Sequence, residues 1–248
     1  MVIEPVEMTV SNCVCGGFDK LNHRFSYCMD IKFIKEVIPL YVDATWLTLR
    51  IGFIGIILSF VTGIFCAIVR YWKIPVLNVI VRVYTEISRN TPLLIQLFFL
   101  YFALPRLGVK LSGEQCGIIG LTFLGGSYMA ETFRSSLETV GRAQLESGMC
   151  VGLNKIQLVR YVVLPQAMSV SVPGLVANII FLLKETSVFS AVALADLMYV
   201  AKDLIGLYYK TEESLLLLVL AYFIILLPIS LLSRFIEKRL RYGQFGNA

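Results

Sequence analysis

Residues 214–233 read SLLLLVLAYFIILLPISLLS, a run of twenty positions without a charge, closed by Glu213 and Arg234. Twenty helical residues cover the roughly 30 Å hydrocarbon core of a bilayer. Inside lipid the backbone must satisfy its own hydrogen bonds, which makes a helix the natural reading of such a run. The pattern recurs toward the N-terminus. Arg50 and Arg70 bracket the uncharged residues 51–69, and Arg160 and Lys184 bracket 161–183. Two shorter runs, 90–105 and 115–130, reach spanning length when Ile87 and Ser88 are added before the first and Thr132 and Phe133 after the second. The expectation is an all-α integral membrane protein of about five transmembrane helices. Composition agrees, with 57% hydrophobic and 16% charged residues against about 25% charged in soluble domains.

Lys and Arg beside the spans set the orientation. Residues 70–89, 131–160 and 234–248 hold 12 of the 22 basic residues and only 5 of the 17 acidic ones, with Arg234, Lys238, Arg239 and Arg241 crowding the end of the last span. This places the N-terminus outside, the C-terminus in the cytoplasm, and the loop between spans 3 and 4 in the cytoplasm. The net charge of +5 then reads as topology. The basic residues are dispersed among loops, which speaks against nucleic acid as a partner and for membrane lipid.

Residues 1–30 form a polar N-terminal extension, expected to be disordered, with no apolar run of signal-peptide length. Cys13, Cys15, Cys28 and His23, the single histidine, lie here in one C-x-C unit with stragglers. Zinc sites use paired C-x₂₋₄-C units, so no metal site is expected. A start of translation at Met29 is a further expectation, and the peptide spanning residues 25–32 in the native protein would contradict it. Residues 31–248 read as one transmembrane domain. Apolar residues at 31, 33, 34, 37, 38 and 41 suggest an interfacial helix before the first span, with Pro39 marking its end. Trp46 fits the headgroup region. Cys66, Cys116 and Cys150 are scattered and suit packing more than redox chemistry.

The most specific stretch lies between spans 3 and 4, in a loop of about residues 135–164. Gln144-Leu145-Glu146-Ser147-Gly148 is followed four residues on by Gly152 and then by Val162-Val163-Leu164-Pro165. Arg142 to Val151 suits a short helix, Gly152 permits a turn or close backbone approach, and Asn154 suits the cap of a second helix through Val162. Pro165 is expected to start the fourth span and to separate it cleanly from the loop helix.

This spacing resembles the cytoplasmic EAA loop of bacterial ABC-importer permeases, with Ser147-Gly148 where the family has Ala-Ala and Val162 where it has Ile. Upstream, Arg89-Asn90-Thr91-Pro92-Leu93-Leu94-Ile95-Gln96-Leu97-Phe98 resembles the R-G-T-P-L-L-x-Q-L-F signature of the polar amino-acid branch. Pro92 sits in the first turn of its span, and Thr91 suits a cap there. Ala130-Glu131-Thr132-Phe133-Arg134 and Lys184-Glu185-Thr186-Ser187 resemble two further family segments. The resemblance implies a permease domain in the bacterial cytoplasmic (inner) membrane, with Gln144, Glu146, Ser147, Gly148, Gly152, Leu164 and Pro165 docking a separate ABC ATPase subunit. It also implies an extracytoplasmic amino-acid-binding protein and a second permease copy or paralogue.

Candidates for the translocation path are polar groups in or near the spans: Gln96, Tyr128, Glu131, Arg134, Asn178, Lys184, Glu185 and Thr186. Gln96 and Asn178 carry uncharged amides suited to a zwitterion. No G-x-x-x-x-G-K-[ST] occurs, and no glycine is followed by lysine, so the usual phosphate cradle cannot form and no enzyme activity or cofactor is expected of the chain itself. The rival reading is an ion-gradient-driven secondary transporter. It suffers from the absence of repeat symmetry. A membrane-embedded enzyme would want histidine or paired carboxylates within the spans, and no span contains a histidine.

Overall fold

The computed structural model describes residues 13–14 and 29–245. The expectations for Cys15, His23 and Cys28, and for the rest of residues 1–28 beyond a two-residue pairing of Cys13–Val14 with Met29–Asp30, lie outside the described residues.

Helix α1 runs unbroken from Ile31 to Tyr71, about 60 Å at 1.5 Å per residue. It absorbs the expected interfacial helix, and Pro39 lies inside it without ending it. The reason is lateral support. Phe33, Val37, Tyr41 and Ala44, on both sides of Pro39, are buried in one apolar cluster with Leu197, Val200, Ala201 and Leu204. These four belong to α8 (Leu197–Tyr208). The Tyr41 hydroxyl also donates to the Ser214 carbonyl at 2.7 Å, in α9 (Thr211–Phe245). Asp30 caps α1 by accepting from the N–H groups of Lys32 and Phe33, both at 3.1 Å. Its other oxygen meets Lys210 at 3.4 Å. The Phe33 N–H holds the Asp30 carboxyl below its ordinary pKa, with Lys210 adding to the effect.

Helix α2 (Pro75–Asn90) opens with proline at its first position, where the lost N–H costs least. It is followed by α3 (Leu93–Phe98), which continues through a π turn (Phe99–Ala103) and a 3-10 turn (Leu104–Leu107). The two halves meet at 105°. Pro92 forces the bend. It biases Thr91 toward extended backbone, found at φ −113° and ψ 129°. Thr91 therefore does not cap α3: it closes α2, donating to the Ile87 carbonyl at 2.8 Å. The expected second span is a bent element.

Helix α4 (Gly113–Glu138) starts with a capping box from Ser112 and Gln115. It is the centre of the bundle. Small residues let α1 lie directly on it: a Cβ at Gly55 would stand 2.6 Å from Leu121 Cδ2, and one at Gly125 would stand 2.8 Å from Ser59 Cβ. The loop helices α5 (Arg142–Cys150) and α6 (Lys155–Leu158) follow. A π turn over Val159–Val163 then leads into α7 (Leu164–Glu185), with a 3-10 segment (Thr186–Val192) beyond. The core joins Ile51 of α1, Leu93 and Leu97 of α3, Leu121 and Leu124 of α4, Leu182 of α7 and Phe189.

Three helical stretches are long and apolar enough to cross a membrane: Ile31–Tyr71, Lys155–Val192 and Thr211–Ile236. The bent pair α2–α3 makes a fourth. Helix α4 has the length but is less apolar, because glycine and polar side chains at its buried positions replace what lipid would otherwise demand. The apolar window of α9 is only 6% buried, so its surface is open to lipid or to a neighbour. Cys66 and Cys116 are buried, in agreement with a packing role; Cys150 is exposed at the end of α5 and does not pack.

Candidate coupling loop and translocation path

Helix α5 is held by its C-terminus. Gly152 sits at φ +87° and donates to the Met149 carbonyl at 2.9 Å, while the Leu153 N–H reaches the Gly148 carbonyl at 3.2 Å. These two bonds are the Schellman pattern, which uses a left-handed residue just past the helix. A Cβ at Gly152 would meet nothing within 4 Å, so Gly152 serves the turn and not a close approach. The close approach is at Gly148, where a Cβ would overlap Leu158 Cδ1. Asn154 caps α6 through a reciprocal box: its side chain accepts from the Gln157 N–H at 2.9 Å, and Gln157 Oε1 accepts from the Asn154 N–H at 3.0 Å. Pro165 does not separate loop helix from membrane helix. The Leu164 N–H bonds to the Val159 carbonyl five residues back. This wider π turn carries the helix past the proline, which has no N–H to give.

The loop presents Glu146, Gln144 and Ser147 to solvent, beside exposed apolar side chains at Met149, Val151, Ile156 and Leu164. A groove of about 460 Å³ runs between α5 and the start of α7, lined by Gln144, Ser147, Gly148, Val151, Val162 and Gln166. Apolar side chains exposed on a polar hairpin mark an interaction surface. Gly152→Ala is expected to cost the turn about 1–2 kcal/mol. Amide exchange in α5 should then accelerate roughly tenfold, while Gly152→Asn, which tolerates left-handed backbone, stays near wild type. Equal exchange in the alanine variant would contradict the turn assignment.

The path candidates separate into groups. Gln96 lies at the α2–α3 bend, and its Nε2 donates to the carbonyls of Ser88 (3.2 Å) and Thr91 (3.1 Å) and to Thr91 Oγ1 (2.9 Å). It thus satisfies carbonyls that the broken helix leaves open. Its Oε1 is buried without a partner. The Tyr128 ring lies 5.0 Å from that of Phe181, and the Arg89 guanidinium stands 5.2 Å from its centroid, a cation–π distance. Asn178 donates to Thr132 Oγ1 at 2.9 Å, joining α7 to α4. Glu131 pairs with Arg70 at 3.2 Å and with Arg134, and Arg134 also pairs with Glu138 at 2.6 Å. This chain of ions sits at the end of α4 that leads into the loop. Lys184 is exposed. Thr186 is buried, donating to the Leu183 carbonyl at 2.7 Å. Lys184 and Thr186 lie at the end of α7 away from the loop, so the candidates do not form one site.

Sequence reasoning passed over two residues. Arg89 heads the motif it quoted, and its charge beside an apolar run was the available signal. Asp196, fully buried, caps α8 by accepting from the Tyr199 N–H at 2.9 Å, and its Oδ2 has no hydrogen-bond partner. Burial pushes its carboxyl up to about 7, against the opposing pull of the Tyr199 and Met198 N–H groups and of Lys202. Its folded pKa lies above the unfolded one, so the associated stability is complete below about pH 4 and is lost as pH rises toward 7, by up to roughly 4 kcal/mol. Asp196→Asn keeps a capping oxygen and should flatten thermal stability between pH 4 and 7; an unchanged slope would contradict this. Among the described residues, no cluster of three or more potential metal ligands occurs.

Residues 33–242 match the family described as the binding-protein-dependent transport system inner membrane component. This chain belongs to that family. The permease is 35% identical over 212 residues to the probable glutamine ABC transporter permease protein GlnP of Bacillus subtilis (strain 168), covering 84% of this chain and 96% of the relative. It is 31% identical over 196 residues to the probable amino-acid ABC transporter permease protein PatM of Vibrio harveyi, covering 78% and 88%. Among solved structures, an amino acid ABC transporter crystallised with histidines superimposes with a TM-score of 0.81 at 27% identity, covering 85% of the permease and 99% of that chain. The MetNI methionine transporter in an inward-facing form shares the fold, with a TM-score of 0.69 at 22% identity, covering 86% and 99%. The permease is a component of an ABC importer in the inner membrane.

Proposed function

We propose that the permease moves a polar amino acid inward across the bacterial inner membrane, driven by ATP hydrolysis on a separate ATPase subunit seated on the α5–α6 hairpin. The observation that carries the reading is the hairpin itself: α5 is fixed at its end by Gly152, α6 is capped by Asn154, and together they hold Glu146 beside exposed apolar side chains at the mouth of a groove. In this reading Gln144, Glu146, Ser147, Gly148, Gly152, Leu164 and Pro165 form the docking surface. The chain crosses the membrane five times, through α1, α2–α3, α4, α7 and α9, with the N-terminus outside and the C-terminus in the cytoplasm.

The relatives named for glutamine and for amino acids support a polar amino acid as cargo. A binding protein delivers it from outside, and a second permease copy or a paralogue completes the path. ATP binding closes the ATPase pair, the hairpins move with it, and the two states of the membrane helices are biased from both ends. Gln96, Tyr128, Asn178 and Thr186 line or gate the path, while Glu131 and Arg134 tie its inner end to the hairpin. Lys184 stands at the outer end. Hydrolysis is the partner's chemistry.

The test is reconstitution of the permease with its ATPase and binding protein in sealed vesicles. Uptake of labelled glutamine or another polar amino acid should require ATP and persist when ion gradients are collapsed. Uptake that ignores ATP and disappears with the gradient would overturn the proposal in favour of a secondary transporter.

A further inference from the structure

We infer that the loop-side end of α1, α2 and α4 forms a binding site for the phosphate of an anionic lipid headgroup. A cavity of about 310 Å³ lies between these three helices, lined by Arg70, Lys73, Asn78, Arg82, Arg134 and Glu138. Four cations face one carboxylate. The ion pairs divide them unequally: Glu131 and Glu138 engage Arg70 and Arg134, whereas Lys73 and Arg82 have no ion-pair partner among the described residues. The cavity therefore carries two uncompensated positive charges on a wall already held open by paired ones. The half-buried Asn78 adds an amide. Helix α2 begins beside the same space with no acidic residue in its first turn and no side-chain cap, so the positive pole of the helix lies near the cavity.

Depth identifies the occupant. The uncharged stretch of α1 ends at Arg70. Directly after it, Tyr71 and Trp72 are 37% and 53% exposed, with their rings 6.1 Å apart in an edge contact. Exposed Tyr and Trp at the end of a span lie at headgroup level. The apolar flank of α2 beyond the cavity, at Val76, Val79, Ile80 and Val83, suits acyl chains. A soluble anion would use the charges but not this flank. Basic pockets between membrane helices hold anionic headgroups through the same combination. The assignment of this end to the cytoplasmic leaflet, and nothing else here, rests on the topology proposed above. The Arg134–Glu138 pair stands in the cavity wall where α4 turns into the coupling loop, so a phosphate here competes with Glu138 for Arg134 at the root of that loop.

The experiment is native mass spectrometry of the full-length permease, stripped of lipid in neutral detergent and titrated with dioctanoyl phosphatidylglycerol, phosphatidylcholine of the same chain length, or inorganic phosphate. One phosphatidylglycerol should bind saturably per chain. The double variant Lys73→Gln/Arg82→Gln should weaken it by about 30-fold, as expected for two interfacial charges, and each single variant by about fivefold. Both side chains are exposed, so folding is not at stake. A control, Arg106→Gln/Lys110→Gln, removes two exposed charges outside the cavity and should leave binding unchanged. Equal binding by the double variant and wild type overturns the site. Phosphatidylcholine binding as tightly as phosphatidylglycerol overturns recognition of the anionic headgroup. Displacement of the lipid by inorganic phosphate at similar concentration reassigns the site to a soluble phosphate. The readout needs neither ATP nor a transport partner, so a failure of the proposed transport function would leave this result standing.

Discussion

Glu146→Lys should reduce ATP-driven uptake to background while leaving the permease inserted and folded. Glu146 is exposed on α5 and makes no ion pair among the described residues. Its replacement therefore removes no internal contact, and surface changes of this kind stay within about 0.5 kcal/mol of wild-type stability. At the proposed docking surface the same change reverses a charge, and like charges brought together across an interface cost several kcal/mol. A loss of that size weakens the affinity for the ATPase by more than a hundredfold. Glu146→Gln, which removes the charge without reversing it, should fall between the two. The measurements are membrane abundance, co-purification of the ATPase with the permease, and uptake in vesicles. Retained ATPase with normal uptake in the lysine variant would remove Glu146 from the docking surface. Loss of uptake with the ATPase still bound would place the residue in transmission of motion instead of docking.

How much of this was legible in the sequence depended on whether a feature is local. The caps of the loop are local: Gly152 at a left-handed position and Asn154 three residues before Gln157 depend on neighbours within a turn, and both read correctly from residue type and spacing. Apolar runs are local too, and 51–69, 161–183 and 214–233 each fall within helices. The errors came from prolines whose consequences are decided elsewhere. Pro39 does not stop α1 because α8 and α9 hold both sides of it. Pro165 does not start a separate helix because a π turn carries the chain past it. At Pro92 the chain does break, with Gln96 reaching back to the carbonyls of Ser88 and Thr91. Nothing in the three local sequences distinguishes these outcomes.

The candidate site divides along the same line. The residues proposed for docking lie close together in sequence: Gln144, Glu146, Ser147, Gly148 and Gly152 fall on α5 and the turn after it, and Leu164 and Pro165 at the start of α7. The path candidates came from a single criterion, polarity in or near a span, and that criterion mixes residues that hold the bundle together with those that remain open. Asn178 joins α7 to α4 through Thr132. Glu131 is engaged by arginines from α1 and α4. Only the buried, unpartnered Oε1 of Gln96 leaves a polar group still seeking a donor. Arg89 also stands over the Tyr128 ring. Neither property could be read from a linear chain.

Gly63→Leu should prevent the permease from accumulating as a folded protein. A Cβ at Gly63 would stand 2.5 Å from Met129 Cβ and 3.1 Å from the Ala130 backbone nitrogen. Because the nearest atoms are a Cβ and backbone, no rotamer change relieves the overlap; α1 must move away from α4. In lipid that separation is costly for a specific reason. Apolar surface gains little by leaving lipid, so helix association depends on close packing and on hydrogen bonds at the contact. The Ser59 hydroxyl, one turn from Gly63, shares its single proton between the Gly55 carbonyl of its own helix at 2.7 Å and the Leu121 carbonyl of α4 at 3.1 Å, and a displaced α1 loses the second contact. A single added methyl in a tight core costs about 1–3 kcal/mol. Gly63→Ala should therefore lower the melting temperature of the detergent-purified permease by roughly 3–10 °C, and the leucine variant should give no monodisperse peak at all. Gly206→Ala is the matched control. A Cβ there meets nothing within 4 Å, and alanine is the better helix former, so its melting temperature should hold or rise. Wild-type behaviour of Gly63→Leu would mean that α1 and α4 do not approach through this face, and the centre of the bundle would have to be redrawn.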